Sequence, residues 1–227
     1  MTFLTIGHRG VMGVEPENTL RSYLRAERSG MDVIALDLRL SKDGALVALH
    51  DPDVDRTTDG SGAVADLTLA ELRGLDAGQG EHVPVLDEVL DAVRAPLQVS
   101  VRDRAAVGVL AELLLRRDLT ARVEVASPDA ALLAETARLV PGVRTTLWAE
   151  SPGGDVIARA LDAGATTLAL DVRRLTLEAV EQAHAAGLRV IGGEVNTLDL
   201  LRLARSLGLD GAVTDFPEIR STGRFTA

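Results

Sequence analysis

The sequence predicts an α/β fold, a (β/α)8 TIM barrel with an extra antiparallel hairpin strand. Three observations carry this. Short β-rich runs alternate with longer amphipathic segments along all 227 residues, the pattern of parallel strands joined by helical crossovers. One connection breaks the alternation and reads as a hairpin. Setting its second strand aside leaves eight parallel candidates, the strand count of a closed barrel.

In chain order, FLTIG (3–7) is the first strand, and a helix over 17–29 opens on Asn18-Thr19 after Pro16 and closes at Gly30. VIALDLRL (33–40) and LVALH (46–50) follow, separated only by SKDGA. That link is shorter than the dozen residues a crossover needs, and Asp43-Gly44 is a hairpin signal, so 46–50 folds back antiparallel on 33–40. Residues 51–84 form the longest loop-rich stretch, interrupted by a short helix at 69–74, and are expected to be a rim or lid on the functional face. Helices at 86–94, 105–116, 129–139, 155–163, 176–186 and 198–207 then interleave with strands 97–102, 122–126, 145–149, 167–172, 189–195 and 212–216. Ser127-Pro128-Asp129 and Thr197 supply helix starts, while Gly164, Gly187 and Gly208 supply helix ends. One domain spans 1–227. A doubly wound open sheet is the alternative, and the lack of a GxGxxG turn after the first strand weakens its nucleotide-binding version.

Composition narrows the function classes. With 46% hydrophobic residues, the chain has enough apolar surface to fold rather than stay disordered. The absence of cysteine excludes a disulfide framework and thiolate chemistry. A formal charge of −10 and only 2% aromatic residues argue against nucleic acid as a partner. No stretch approaches the ~20 consecutive apolar residues of a membrane span. The opening MTFLTIGHRG lacks a basic start followed by a long apolar core, so a cytoplasmic protein is expected. The partner class left is a small molecule, and oligomeric state is not readable.

In a barrel, polar residues at the carboxyl ends of strands converge on one site. His8, in GHRG, and His50, in LHDP, occupy such ends. Two imidazoles across a pocket suit general acid and general base. Arg9 beside His8 can fork onto phosphate oxygens, and Asn18 either caps the first helix or orients a ligand, capping being the simpler role. Glu15, Glu88, His82 and His184 have no spacing that would make a metal cluster, and the serines lack a GxSxG context.

These motifs together resemble the glycerophosphodiester phosphodiesterase family. The resemblance runs through IGHRG (6–10), PENTL (16–20), the whole stretch 30–62, AAGLRVIGGEVNT (185–197) and GLDGAVTDFP (208–217). It implies a barrel, phosphodiester hydrolysis in lipid metabolism, and a divalent cofactor, Mg²⁺ or Ca²⁺. By resemblance, His8 and His50 match the two catalytic histidines and Arg9 the phosphate-contacting arginine. Glu17 and Asn18 fall on the Glu-Asn of PENT, and Asp37 on the aspartate of a Glu-x-Asp metal-binding pair.

The departures cluster at the metal. Ala35 stands where the family has the first glutamate, and Ser100 and Arg102 stand in place of a Glu-x-Lys pair. Gly193-Glu194-Val195-Asn196 replaces Trp-Thr-Val-Asn. A hard divalent ion held by one carboxylate and water binds weakly, so the Mg²⁺ or Ca²⁺ site that the resemblance implies is incomplete, and the alternatives are a weakened site, a rebuilt one or none. Arg9, Arg39 and Arg102 are the cations that could replace it; Arg39 shares strand parity with Asp37, and Arg102 with Ser100. Glu17, Glu194, Glu124 and Asp171 are the carboxylates that could rebuild it. Gly193 in place of an aromatic is expected to open the pocket. Two functions compete on this reading. One is a phosphodiesterase with weakened or absent metal dependence, its phosphate held by Arg9, Asn18, Arg102 and Arg39. The other is a pseudoenzyme or repurposed acid–base catalyst that binds a different, larger phosphorylated ligand.

Overall fold

The computed structural model describes residues 3–153 and 155–220, so residues 1–2, 154 and 221–227 of the expected domain lie outside the described set. The strands are β1 (Leu4–Gly7), β2 (Val33–Leu40), β3 (Leu46–Ala48), β4 (Leu97–Val101), β5 (Val123–Ser127), β6 (Arg144–Ala149), β7 (Thr167–Asp171), β8 (Arg189–Gly193) and β9 (Gly211–Thr214). The helices are α1 (Leu20–Arg28), α2 (Leu69–Arg73), α3 (Leu86–Ala92), α4 (Ala105–Arg116), α5 (Ala130–Leu139), α6 (Val156–Asp162), α7 (Leu177–Ala185) and α8 (Leu198–Ser206). The order runs β1-β9-β8-β7-β6-β5-β4-β2, and β1 also pairs with β2, which closes an eight-stranded parallel barrel. β3 lies outside it, antiparallel to β2 with Arg39 opposite Val47. The hairpin strand ends at Ala48, so His50 stands just beyond it.

Strand parity sorts the two sides of the wall. Outward-facing residues such as Leu36, Val99, Val125, Leu147, Leu168 and Val190 pack against the apolar faces of the helices. α4 shows why: Ala106, Val107, Leu110, Ala111, Leu113 and Leu114 are buried at helical spacing, each large side chain being worth about 1.5–3 kcal/mol on burial. Inside the barrel, Ile6, Ala169, Ile191 and Val213 form an apolar layer with Val33, Ala35 and Trp148 packed against it.

Nearer the amino ends of the strands, the interior is polar. Arg189 Nη2 donates to Glu124 at 3.1 Å and to Thr167 at 2.9 Å. Gln98 Nε2 donates to Glu124 at 3.3 Å and to Thr146 at 3.4 Å, and the Thr146 hydroxyl donates to Glu124 as well. The buried Glu124 carboxylate thus accepts from Arg189, Gln98 and Thr146, the kind of hydrogen bonding under which a buried charge is tolerated.

Helix starts follow the sequence reading with one correction. Thr19, Asp129 and Thr197 cap α1, α5 and α8 through side-chain oxygens. Asn18 does not cap; its side chain is committed elsewhere. The 51–84 excursion is also more than a loose rim. Val47, Leu49, Val54, Val64, Leu72, Ala77 and Val83 form a separate buried cluster, and Ala48 N–H donates to the Pro84 carbonyl at 2.8 Å. The segment is thus a packed platform built on the hairpin. No helix of the described residues is long and apolar enough to cross a membrane.

Candidate active site

The site begins with the turn that follows β1. Gly10 has φ +89, and a Cβ there would overlap the Ser22 side chain, so only glycine fits. Ser22 Oγ accepts from Val11 N–H at 2.9 Å and donates to the Arg9 carbonyl at 3.1 Å. Arg9, Asn18 and Glu194 all take positive φ (49, 56 and 53). Such backbone is disfavoured for non-glycine residues and persists where its surroundings over-determine it, commonly at functional sites.

Each histidine is held by a carboxylate. His8 Nδ1 lies 2.7 Å from Asp215 Oδ1, and Asp215 Oδ2 accepts from Asn196 Nδ2 at 2.7 Å. Burial raises the Asp215 carboxyl, but the His8 hydrogen bond and charge outweigh it and hold the carboxyl below its usual range. His50 Nδ1 lies 2.6 Å from Asp51 Oδ1. Hydrogen bonds from Arg56 and then His50 lower Asp51 to about 2. With Nδ1 engaged in both rings, Nε2 is left for proton exchange.

His50 and Asp51 open an ionic chain that runs through Arg56 and Glu17 to Arg9, the residue after His8. Arg56 Nε donates to Asp51, and its two terminal nitrogens donate to Glu17, each at 2.8 Å. Glu17 also accepts from Arg9 Nη1 at 2.7 Å. Burial pushes Glu17 up, yet Arg56 and Arg9 bring it below the ordinary carboxylate value. Arg9 Nε sits 3.0 Å from Asp37 without an aligned hydrogen bond, which makes it a charge contact. Asn18 Nδ2 donates to the same Asp37 oxygen at 3.2 Å, while Asn18 Oδ1 accepts from Asp37 N–H at 3.1 Å and from buried Tyr23 at 2.9 Å.

A cavity of about 280 Å³ opens at the carboxyl ends of the strands, lined by His8, Arg9, Ala35, Asp37, His50, Gln98, Ser100, Arg102, Trp148 and Glu194 among others. The structure thus brings His8, His50, Arg9, Arg102, Asp37 and Glu194 to one space. Arg39 is not among the lining residues; its Nε and Nη2 donate to the His50 carbonyl at 3.0 and 2.7 Å. Burial, then the nearby Arg102 charge, lowers its affinity for its proton. Arg102 makes no hydrogen bond or ion pair among the described residues and is the cavity's uncommitted cation.

A divalent ion does not fit these donors. Ala35 and Ser100 bring no carboxylate, one Asp37 oxygen already faces Arg9 and Asn18, and both Glu17 oxygens are held by arginines. Glu194 is largely exposed and 3.5 Å from Arg173. Glu124 sits in the barrel's polar layer, and Asp171 accepts from Arg173. Among the described residues, no three His, Cys, Asp or Glu side chains form a group that could hold a metal ion.

The expected opening at Gly193 is corrected. A Cβ there would lie 2.9 Å from Trp148 Cζ3, so the indole on β6 fills the space that a larger residue 193 would claim. Sequence reading also missed Asp215, Asn196, Asp51 and Arg56. The strand-end TDF and the HD pair were visible, but their roles depend on which strands are neighbours. His184, at the other end of the barrel, pairs with Asp210 at 2.9 Å.

Comparison with known proteins agrees with this geometry. The model of the glycerophosphoryl diester phosphodiesterase family matches residues 8–219. The chain belongs to that family. It is 31% identical to a glycerophosphodiester phosphodiesterase of Caldanaerobacter subterraneus subsp. tengcongensis over 96% of both chains. Among solved structures, an Oleispira antarctica phosphodiesterase in complex with the product sn-glycerol-3-phosphate superposes with a TM-score of 0.89 at 27% identity, covering 95% of this chain and 94% of that one. A glycerophosphodiester phosphodiesterase from Agrobacterium tumefaciens gives 0.85 at 26% identity, covering 98% of this chain and all of that one (100%). The closed barrel described above is the fold these relatives share with this chain.

Proposed function

We propose that the protein hydrolyses small glycerol-headed phosphodiesters by His8/His50 acid–base catalysis, with arginine side chains carrying the charge that a divalent ion would otherwise carry. The observation that supports it best is the pair of carboxylate-held histidines lining one cavity with Arg9 and Arg102. One imidazole takes the proton of the attacking oxygen as the new P–O bond forms. The other donates a proton to the departing alcohol oxygen as the old bond breaks. Arg102 stabilises the developing charge on the phosphoryl oxygens, and Arg9 adds to it from a position fixed by Glu17 and Asp37. Arg39 positions His50 through its carbonyl.

His8→Ala and His50→Ala are expected to lower kcat on glycerophosphodiesters by about 10²–10⁴-fold; unchanged rates in both would refute the assignment. A second reading, a ligand-binding relative that hydrolyses nothing, is favoured by Ala35 and Ser100. Tight binding of sn-glycerol-3-phosphate by a wild type without turnover would select it.

A further inference from the structure

We propose that Trp148 and Gln98 form the subsite that selects the alcohol part of the substrate, a polyol whose C–H face rests on the indole and whose hydroxyl donates to Gln98 Oε1. The inference rests on the phosphodiesterase reading for its substrate class, and on the following geometry for its residues.

Trp148 is the chain's only tryptophan. It lies on the inner face of β6, in register with Ala169 on β7, which in turn pairs with Ile191 on β8. Because Ala169 is small, the ring can cross the intervening strand, and it reaches the space beside Gly193, where a Cβ would meet Cζ3 at 2.9 Å and Cη2 at 3.3 Å. The indole is supported by the apolar layer of the barrel, yet it also lines the cavity. A half-buried aromatic with one supported side and one open side is a platform for apolar surface.

Gln98 lines the same cavity and is 3% exposed. Its amide orientation is fixed by chemistry. Nε2 faces the Glu124 carboxylate at 3.3 Å, and a carboxylate held by Arg189 at 3.1 Å only accepts hydrogen bonds. The nitrogen therefore points to Glu124, and Oε1, which has no protein donor among the described residues, is the acceptor offered to the cavity. A buried acceptor of this kind favours a ligand that brings a hydroxyl and disfavours one that leaves it unpaired. The ion pair below the cavity thus has a function beyond packing, because it fixes the donor–acceptor sense of Gln98.

The test compares kcat/KM for a glycerophosphodiester and for a methyl phosphodiester bearing the same leaving group, in wild type, Trp148→Ala, Trp148→Phe and Gln98→Met. Trp148→Ala and Gln98→Met are expected to lower the glycerol substrate's kcat/KM about tenfold, mainly through KM, while the methyl substrate changes less than about threefold. Trp148→Phe, which keeps an aromatic face, should stay within about threefold of wild type on both. Equal losses on both substrates, or none, would overturn the subsite. A binding arm needs no turnover: sn-glycerol-3-phosphate should shift the wild-type tryptophan emission, and inorganic phosphate should not. Turnover without any emission change on product binding overturns the subsite alone. An emission shift in a protein that hydrolyses nothing supports the subsite and refutes the hydrolytic reading.

Discussion

His8 and Asp215 are 207 positions apart in sequence and hydrogen-bonded at 2.7 Å, because each lies one step beyond a residue of the Gly7–Thr214 pair that ends the β1–β9 ladder. His8 N–H also donates to the Thr214 carbonyl at 2.8 Å. Barrel closure therefore builds this dyad directly.

Replacing that carboxylate removes the group that fixes the His8 tautomer. Asp215→Asn is expected to lower kcat by about 10²–10⁴-fold with KM changed little. Steady-state kinetics on a glycerophosphodiester checks this, and the loss should match that of His8→Ala within about tenfold.

The Asp51–Arg56–Glu17 chain makes a pH prediction. Asp51 titrates at about 2 in the fold, below its ordinary 3.8. A depressed carboxyl contributes stability that is fully present above the ordinary value and lost as pH falls through the folded one. The Tm difference between wild type and Asp51→Asn should thus be constant above about pH 4 and shrink toward about pH 2. A difference that stays flat down to pH 2 would remove the chain's contribution.

Arg56 touches Asp51 and Glu17 and does not line the cavity. Arg56→Gln is expected to lower kcat about tenfold with KM changed little, because it loosens the carboxylate that holds His50 without touching the cavity. Steady-state kinetics measured beside wild type separates the two parameters.

In the barrel interior, Glu124→Ala leaves Arg189 without its charge partner. Arg189 is partly exposed and keeps Thr167, so the expected loss is about 1.5–3 kcal/mol of unfolding free energy, read by urea denaturation. Glu124→Gln keeps hydrogen-bonding atoms and should cost less.

Much of this was legible in sequence. The alternation of runs located the nine strands, and SKDGA was short enough to expose the hairpin. HRG and HD placed both histidines at strand ends, and the losses at Ala35 and Ser100 were visible directly. The remainder depended on contacts between distant segments. Nothing local ties Asp215 to His8 or Arg56 to Glu17. Asn18 read as a cap because its residue type caps helices, yet Thr19 takes that role and Asn18 bridges Tyr23 and Asp37. Gly193 read as an opening because its neighbour across β7 is far away in sequence.

The most direct measurement is hydrolysis of a glycerophosphodiester by the wild type, with EDTA and after adding back Mg²⁺ or Ca²⁺, beside His8→Ala and His50→Ala. The account predicts a rate that EDTA changes less than about twofold and that either histidine variant lowers by at least about a hundredfold. Activity abolished by EDTA and restored by the cation would contradict it, because the cavity's arginines would then not be carrying the charge.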